Sequence, residues 1–242
     1  MSVSVNTVYT KVQAIMNKEQ RGYITPQEFN LFANQVQMDI FEQYFYDLNQ
    51  FMRLPGNDTG HADMVNILNE KIGIFTKTNT PQYNTGFTPI TPEFGEFTKP
   101  TDLYRLTAIE YNGVIADRLT RIEFLRINKS PLTKPTDEFP VYTEFENGYD
   151  VQGDDEFVGD DQSSNPKVTI EYIRKPAEVV WGYDDSTDLY DSSTTTDFEL
   201  HLSEETELVI KILELAGIAA KQIDIAQYAG SVDNKSIQQE KA

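Results

Sequence analysis

The chain of 242 residues contains no cysteine and only two histidines, His61 and His201. The missing thiols exclude a disulfide framework, a thiolate metal site and a cysteine nucleophile. Two histidines are too few for a multi-histidine metal centre, and both lie in polar stretches without the glycine-flanked turn that presents a nucleophilic serine. We therefore interpret both histidines as surface residues, and we expect no cofactor.

Basic residues are scarce, because 20 Lys and Arg stand against 39 Asp and Glu, a formal net charge of −19. This balance argues against a surface that grips nucleic-acid phosphates or an anionic membrane, and it predicts a soluble protein with cationic or neutral partners. The acidic excess lies in two stretches, residues 137–161 with ten acids and residues 184–207 with nine. Neither stretch contains Lys or Arg, so the remainder of the chain is neutral.

Long apolar runs are also missing, and no stretch approaches the ~20 apolar residues of a membrane-spanning helix. The N-terminal sequence MSVSVNTVYTKVQ lacks the basic head and apolar run of a secretion signal. We expect no membrane partner and no export by this segment. The 39% hydrophobic content of 242 residues is nevertheless enough for one large or two small domains with a buried core.

Helical periodicity dominates the first third of the chain, where apolar residues at helical spacing predict a short helix over 5–18. Thr25-Pro26-Gln27-Glu28 matches a capping box, so a second helix is predicted to begin at Pro26 and to run about eight turns to Pro55-Gly56. The apolar surface of this helix is wider than one stripe. That width makes three of its residues candidates for partner binding: Phe41, Phe45 and Tyr46.

The pattern changes after a third predicted helix over 62–76. Residues 78–100 are rich in Thr, Pro, Asn and Gly, which is typical of an extended linker. Asn112-Gly113 and Asn147-Gly148 each lie between β-rich runs and predict two hairpins, since both residues of such a turn need positive φ. A capping box that begins at Thr120 opens a short helix between them. The alternating sequence of 167–173 predicts a further strand.

Ser203, followed by two glutamates, predicts the start of a C-terminal helix over 203–228 that packs on the N-terminal helices. The polar tail after it is predicted to be flexible, and Tyr228 and Ile237 are candidate partner-binding residues. The expected fold class is α+β: a helical bundle of three N-terminal helices plus the C-terminal helix, with an inserted antiparallel domain rich in β-hairpins. The parts are a helical part at 1–77, a linker at 78–100, a β-rich part at 101–183, an acidic loop at 184–202, the terminal helix at 203–228 and the tail at 229–242.

The acidic run at 184–188 places oxygens at the first, third and fifth positions of a calcium-binding loop. The pattern then fails, because Leu189 stands where glycine is needed and Thr195 where a bidentate glutamate is needed. We therefore favour a solvated acidic loop. The alternative function is a calcium-assisted surface module for glycan or protein ligands, built from this loop with Trp181 and Tyr183.

Three segments together resemble virion proteins of short-tailed bacteriophages: NKEQRGYITPQEFNLFANQVQMDIFEQYF at 17–45, FLRINKSPLTKPTDEFPVYTE at 124–144 and VTIEYIRKPAEVVWGY at 168–183. They are most similar to the neck or ring proteins of crAss-like phages, which resemble the head-to-tail adaptors of other podophages in role. The resemblance implies a helical bundle with a β-rich part, assembled as a homo-oligomeric, twelve-fold ring under the portal. It implies no catalysis and supplies no active-site residues.

On this interpretation the chain is a non-enzymatic structural protein of the neck or tail of a virion, made in the host cytoplasm. The implied partners are the portal protein, further tail or neck proteins, and double-stranded DNA that passes without sequence-specific binding. Acidic segments that lined such a channel would repel the DNA phosphates. The candidate channel-lining acids are Asp154, Asp155, Asp160 and Asp161. Acidic loops on the outside of the ring would have the same sequence, so both placements stay open.

Overall fold

The computed structural model describes residues 2–18, 24–53, 59–80, 95–130, 132–146, 148–154, 167–184 and 189–219. The chain divides into two compact units. The first unit combines Met1–Ile74 with Pro176–Ala242, and the second is Phe75–Lys175. The chain thus leaves the first unit after its N-terminal helices, forms the second, and returns.

The described residues form α-helices and antiparallel sheets, so the predicted mixed α+β class is confirmed. The helices are α1 (Val5–Lys18), α2 (Pro26–Arg53), α3 (Thr59–Gly73), α4 (Arg121–Ile127) and α5 (Glu205–Ala219), with a 3-10 turn at Leu202–Glu204 before α5. The strands are β1 (Ser2–Val3), β2 (Thr76–Asn79), β3 (Gly95–Thr98), β4 (Leu103–Tyr111), β5 (Val114–Ile115), β6 (Asp117–Arg118), β7 (Val141–Glu144), β8 (Gly148–Gln152), β9 (Val168–Arg174) and β10 (Phe198–His201). No helix within these described ranges is long and apolar enough to cross a bilayer.

In the first unit α2 packs against α3 and α5, and α5 also packs against α1. The layout does not match the predicted bundle, because a two-stranded antiparallel sheet of β1 and β10 lies in the same unit. β1 has only two residues, too few to carry a strand signal in the sequence. β10 lies inside the predicted acidic loop at 184–202, where the buried side chains of Phe198 and Leu200 anchor it. The prediction of a loop was therefore wrong for residues 198–201.

The ends of the helices follow local hydrogen bonding. The capping box before α2 is confirmed: the Thr25 N–H donates to Glu28 Oε2 at 3.0 Å, and the Glu28 N–H donates to Thr25 Oγ1 at 3.2 Å. The third helix ends at Gly73 and not at residue 76 as predicted, and β2 begins at Thr76. Ser203 is not the helix cap as predicted: the Ser203 N–H donates to Nδ1 of His201, which caps the 3-10 turn. Residues 220–242, with Tyr228, Ile237 and the predicted tail, lie outside the described residues.

The second unit consists of two four-stranded sheets that share one core. One sheet has the order β2-β9-β4-β5 and the other β3-β8-β7-β6, with every pair antiparallel except β6 and β7. From Val168 to Tyr172 the residues of β9 are alternately buried and half-buried, as the period of two requires. The shared core is made of Phe97, Ile109, Tyr111, Ala116, Tyr142, Tyr149, Val151, Val168, Ile170 and Tyr172.

Both predicted hairpins form, but their turns differ. Asn112 and Gly113 have φ values of 50° and 84°, as the predicted two-residue turn between β4 and β5 requires. In the second hairpin Glu144 pairs with Tyr149, and the Phe145 N–H donates to the Gly148 carbonyl, so the loop is longer than predicted. Gly148 is needed for a different reason, because a Cβ there would collide with the Phe97 carbonyl of β3.

The predicted linker at 78–100 is partly sheet, since it contains the end of β2 and all of β3. These edge strands show little apolar alternation, and backbone pairing to β9 and β8 holds them. Side chains reinforce the β2 edge: Lys77 Nζ donates to Asp102 Oδ2 at 3.0 Å, and the Tyr172 hydroxyl donates to Asp102 Oδ1 at 2.8 Å. Burial opposes ionisation of Asp102, but these two donors outweigh it and lower the pKa of its carboxyl.

Candidate functional site

The long helix α2 presents different residues to the core and to solvent. Phe41 is fully buried, so it cannot meet a partner, and its assignment as a partner-binding residue was wrong. Phe45 packs edge-on against Phe41 with ring centroids 5.1 Å apart, and it is only partly buried. Tyr46 is 65% exposed. The apolar width of α2 therefore has two origins, a wide core face and apolar residues on the outer face.

Four apolar residues follow one another at intervals of seven on the outer face of α2: Leu31, Met38, Phe45 and Met52. We call them the α2 outer stripe. Residues seven apart on a helix lie almost above one another, so the stripe is about 30 Å long, with the half-buried Met38 and Phe45 in its middle. Its two ends are the most exposed, with Leu31 at 67% and Met52 at 71%. Such spacing is typical of a helix face that packs against another helix.

A second exposed apolar surface lies on α4. The helix is held by a complete capping box, in which Thr120 and Glu123 bond each other's backbone N–H, and Phe124 anchors it to the core. Its outward face carries Ile122 at 63% exposure and Leu125 at 44%. Two exposed bases share this face, which we call the α4 patch and define as Ile122, Leu125, Arg126 and Lys129.

The α4 patch lies in the most basic part of the chain. Residues 118–134 contain five Lys and Arg and a single acid, in a protein of net charge −19. Two of those bases are engaged within the unit, since Arg118 Nη2 donates to Glu144 Oε2 at 2.9 Å and Arg121 pairs with Asp150. Arg126 and Lys129 are both exposed, so the patch presents apolar and cationic side chains together.

The acidic segment 137–161 is partly neutralised by these contacts. Glu144 also accepts from Lys99 Nζ at 3.0 Å, and so holds two bases. Of the four candidate channel-lining acids, Asp154 is exposed and its backbone N–H donates to Asp137. Asp155, Asp160 and Asp161 lie outside the described residues. The assignment of these acids to a channel stays a prediction.

Amide side chains of α2 bind the chain where it returns from the second unit. Asn34 Nδ2 donates to the Val179 carbonyl at 2.9 Å, and Asn34 Oδ1 accepts from the Val179 N–H at 2.8 Å. Asn30 Oδ1 accepts from the Trp181 N–H at 2.8 Å, and Gln37 Nε2 donates to the Ala177 carbonyl at 2.8 Å. These three amides act as a strand would, satisfying backbone groups of an extended segment. We call them the amide ladder.

Trp181 completes this return segment. It is 5% exposed, its indole N–H donates to Asn6 Oδ1 at 3.1 Å, and its ring packs on Tyr9 with centroids 4.2 Å apart. Tyr183 stacks on the other side with a centroid distance of 6.0 Å. The indole is thus packed among protein groups, which argues against its use as an open sugar-stacking platform.

A cluster of charged side chains is buried where the 3-10 turn and α5 meet α2 and α3. Lys71 Nζ lies 2.6 Å from Glu204 Oε1, and Lys211 Nζ lies 3.0 Å from Glu207 Oε1. Burial disfavours ionisation of Glu204, but the ammonium of Lys71 outweighs this effect and lowers the pKa of the Glu204 carboxyl. For Glu207, burial and the neighbouring charge of Glu204 raise the pKa. Tyr44 lies beside them, and burial together with the charge of Glu204 raises the pKa of its hydroxyl.

A cavity of about 60 Å³ adjoins this cluster, lined by apolar and polar side chains of α2 and α3 together with Glu204 and Glu207. Its volume suits about two water molecules, so a metabolite does not fit. The Lys71–Glu204 ion pair connects α3 to the 3-10 turn, so we interpret the cluster as structural. Within the described part of the chain no three His, Cys, Asp or Glu side chains converge to hold a metal ion.

No known family model matches the chain, and no curated protein matches it either. The description of its surfaces therefore stands on the geometry alone. The sequence indicates the excess apolar surface of α2, but the prediction that Phe41 binds a partner was wrong. The amide ladder was not predicted, although Asn30, Asn34 and Gln37 lie at helical spacing beside the buried face of α2.

Proposed function

We propose that this chain is a non-enzymatic structural protein of a virion, one subunit of an oligomeric ring that joins the portal to the tail. The observation that carries the proposal is the α2 outer stripe. Leu31 and Met52, at its two ends, are more than two thirds exposed on a helix of 28 residues. Exposed apolar side chains aligned along one helix are candidates for an interaction site.

The likeness to phage neck proteins supports the same function and adds its details. In this proposal the helices of the first unit face neighbouring proteins of the neck, and about twelve copies surround the channel. The acids of 137–161 and 184–207 lower the affinity of the ring for passing DNA by charge repulsion. The partners are the portal protein and further neck or tail proteins, the protein is made in the host cytoplasm, and its site of action is the virion.

Native mass spectrometry of the purified chain mixed with the portal protein of the same phage tests this function. We expect a stoichiometric complex that contains a ring of this chain, and we expect Leu31→Asp combined with Met52→Asp to abolish it, because two charges would be buried where neighbouring subunits of the ring meet. Leu189→Asp is the matched control, since Leu189 is 68% exposed and lies away from α2 in the sequence. A mixture in which the chain joins neither portal nor any other neck protein contradicts the proposal.

A further inference from the structure

The α2 outer stripe is bordered by acids. Glu42 is exposed and lies between Met38 and Phe45 along the helix, and the exposed Asp39 lies beside Glu42 on the side away from the stripe. Between Pro26 and Met52 the helix contains no Lys or Arg, and Arg53 is its last residue. The stripe is therefore an apolar surface with a negative edge.

The α4 patch has the opposite charge and the same apolar character. Ile122 and Leu125 are exposed beside Arg126 and Lys129, in a chain whose net negative charge lies in residues 137–161 and 184–207. Two copies of a protein with net charge −19 repel each other, most strongly where these acidic stretches meet. The basic segment 118–134 is where a second copy can approach without this repulsion.

We propose that the α4 patch of one copy docks on the α2 outer stripe of the next copy. Ile122 and Leu125 then cover the apolar stripe, while Arg126 and Lys129 face Glu42 and Asp39. This inference rests on the proposed function, and it names the partner of the same surface as a second copy of the chain. The two surfaces are different, so the contact is head-to-tail and can repeat around a ring, whereas a two-fold dimer would stop at two copies.

Self-pairing of two α2 stripes is the competing arrangement. It would bring Asp39 and Glu42 of one copy close to the same acids of the other, which disfavours it by like-charge repulsion. The α4 patch supplies apolar and cationic groups together. Charge complementarity therefore selects the α4 patch as the occupant of the stripe.

Disulfide trapping tests this contact cleanly, because the chain has no cysteine of its own. We expect a mixed disulfide when full-length Glu42→Cys and Arg126→Cys proteins are concentrated together and oxidised, and no disulfide dimer from either variant alone. Asp39→Cys with Lys129→Cys is a second pair at exposed positions. Glu42→Cys with Lys175→Cys is the matched control, since Lys175 is exposed outside the α4 patch. A dimer of Glu42→Cys with itself overturns the inference, and so does a yield for both test pairs no higher than for the control.

Charge reversal supplies an independent measurement by sedimentation velocity. Glu42→Lys and Arg126→Glu should each weaken self-association about fivefold, and the double variant should restore it to within about twofold, because each neighbour then presents the reversed partner. A double variant that associates no better than the singles overturns the pairing. Portal binding measured on the same samples separates the two proposals: portal binding without trapped disulfides refutes this interface only, and trapped disulfides without portal binding refute the virion function only.

Discussion

Replacing Asn34 by Ala should destabilise the first unit through loss of the amide ladder. Val179 is fully buried, and its N–H and carbonyl both bond to the Asn34 side chain. The substitution leaves two buried backbone groups without these partners, each at a cost of about 1–2 kcal/mol. Asn49→Ala is the matched control, because Asn49 is exposed on the same helix and gains the same helix propensity. Relative to that control, Asn34→Ala should lower the free energy of unfolding by about 2–4 kcal/mol.

Urea unfolding followed by tryptophan fluorescence measures this difference. Trp181 is the sole tryptophan and lies on the return segment that the ladder holds, so its emission reports the first unit. The slope of the unfolding free energy against urea should stay unchanged, which would show that stability alone has changed. Free energies for Asn34→Ala and Asn49→Ala that agree within about 0.5 kcal/mol would refute the role of the ladder.

Three further substitutions test the packing and charge arguments. Gly153→Ala should destabilise the second unit by about 2 kcal/mol in urea unfolding, because the new Cβ would collide with the Tyr111 ring. Asp102→Asn should reduce the loss of stability in acid: its lowered pKa contributes stability above the unfolded pKa, and this is lost as pH falls through the folded value. Glu204→Gln should cost about 3 kcal/mol in thermal or urea unfolding, because it leaves the half-buried Lys71 ammonium without its carboxylate.

Matched variants make these results decisive. Gly73→Ala should change stability little, because a Cβ at Gly73 meets no atom within 4 Å. Asp117→Asn and Glu70→Gln replace exposed acids by the same chemistry. A test variant that behaves like its control would show that the contact in question contributes nothing measurable.

The elements that the sequence predicted correctly are those with a local physical signal. Thr25 and Thr120 open their helices because each capping box closes within four residues, and Asn112-Gly113 forms its turn because both residues accept positive φ. Val168, Ile170 and Tyr172 are buried on one face of β9, as their alternation predicts. In each case the deciding interaction lies within a few residues of the signal.

The elements that were missed depend on distant partners. β2 and β3 are strands only because β9 and β8 lie beside them, and β1 pairs with a strand almost two hundred residues away. The amide ladder likewise joins α2 to a segment about 145 residues later. For the candidate site, composition showed that α2 has excess apolar surface. Only the packing of α5 and α3 on the helix decides that Phe41 is inside and Leu31 outside.

Electron microscopy of the purified full-length protein, alone and mixed with the portal protein of the same phage, would show directly whether the chain is a ring subunit of the neck. We expect closed rings of this chain stacked coaxially on the portal, and loss of those rings with Leu31→Asp and Met52→Asp. Portal particles that never carry this chain, at concentrations where both proteins are folded and in excess, would contradict the assignment of the protein to the neck of a virion.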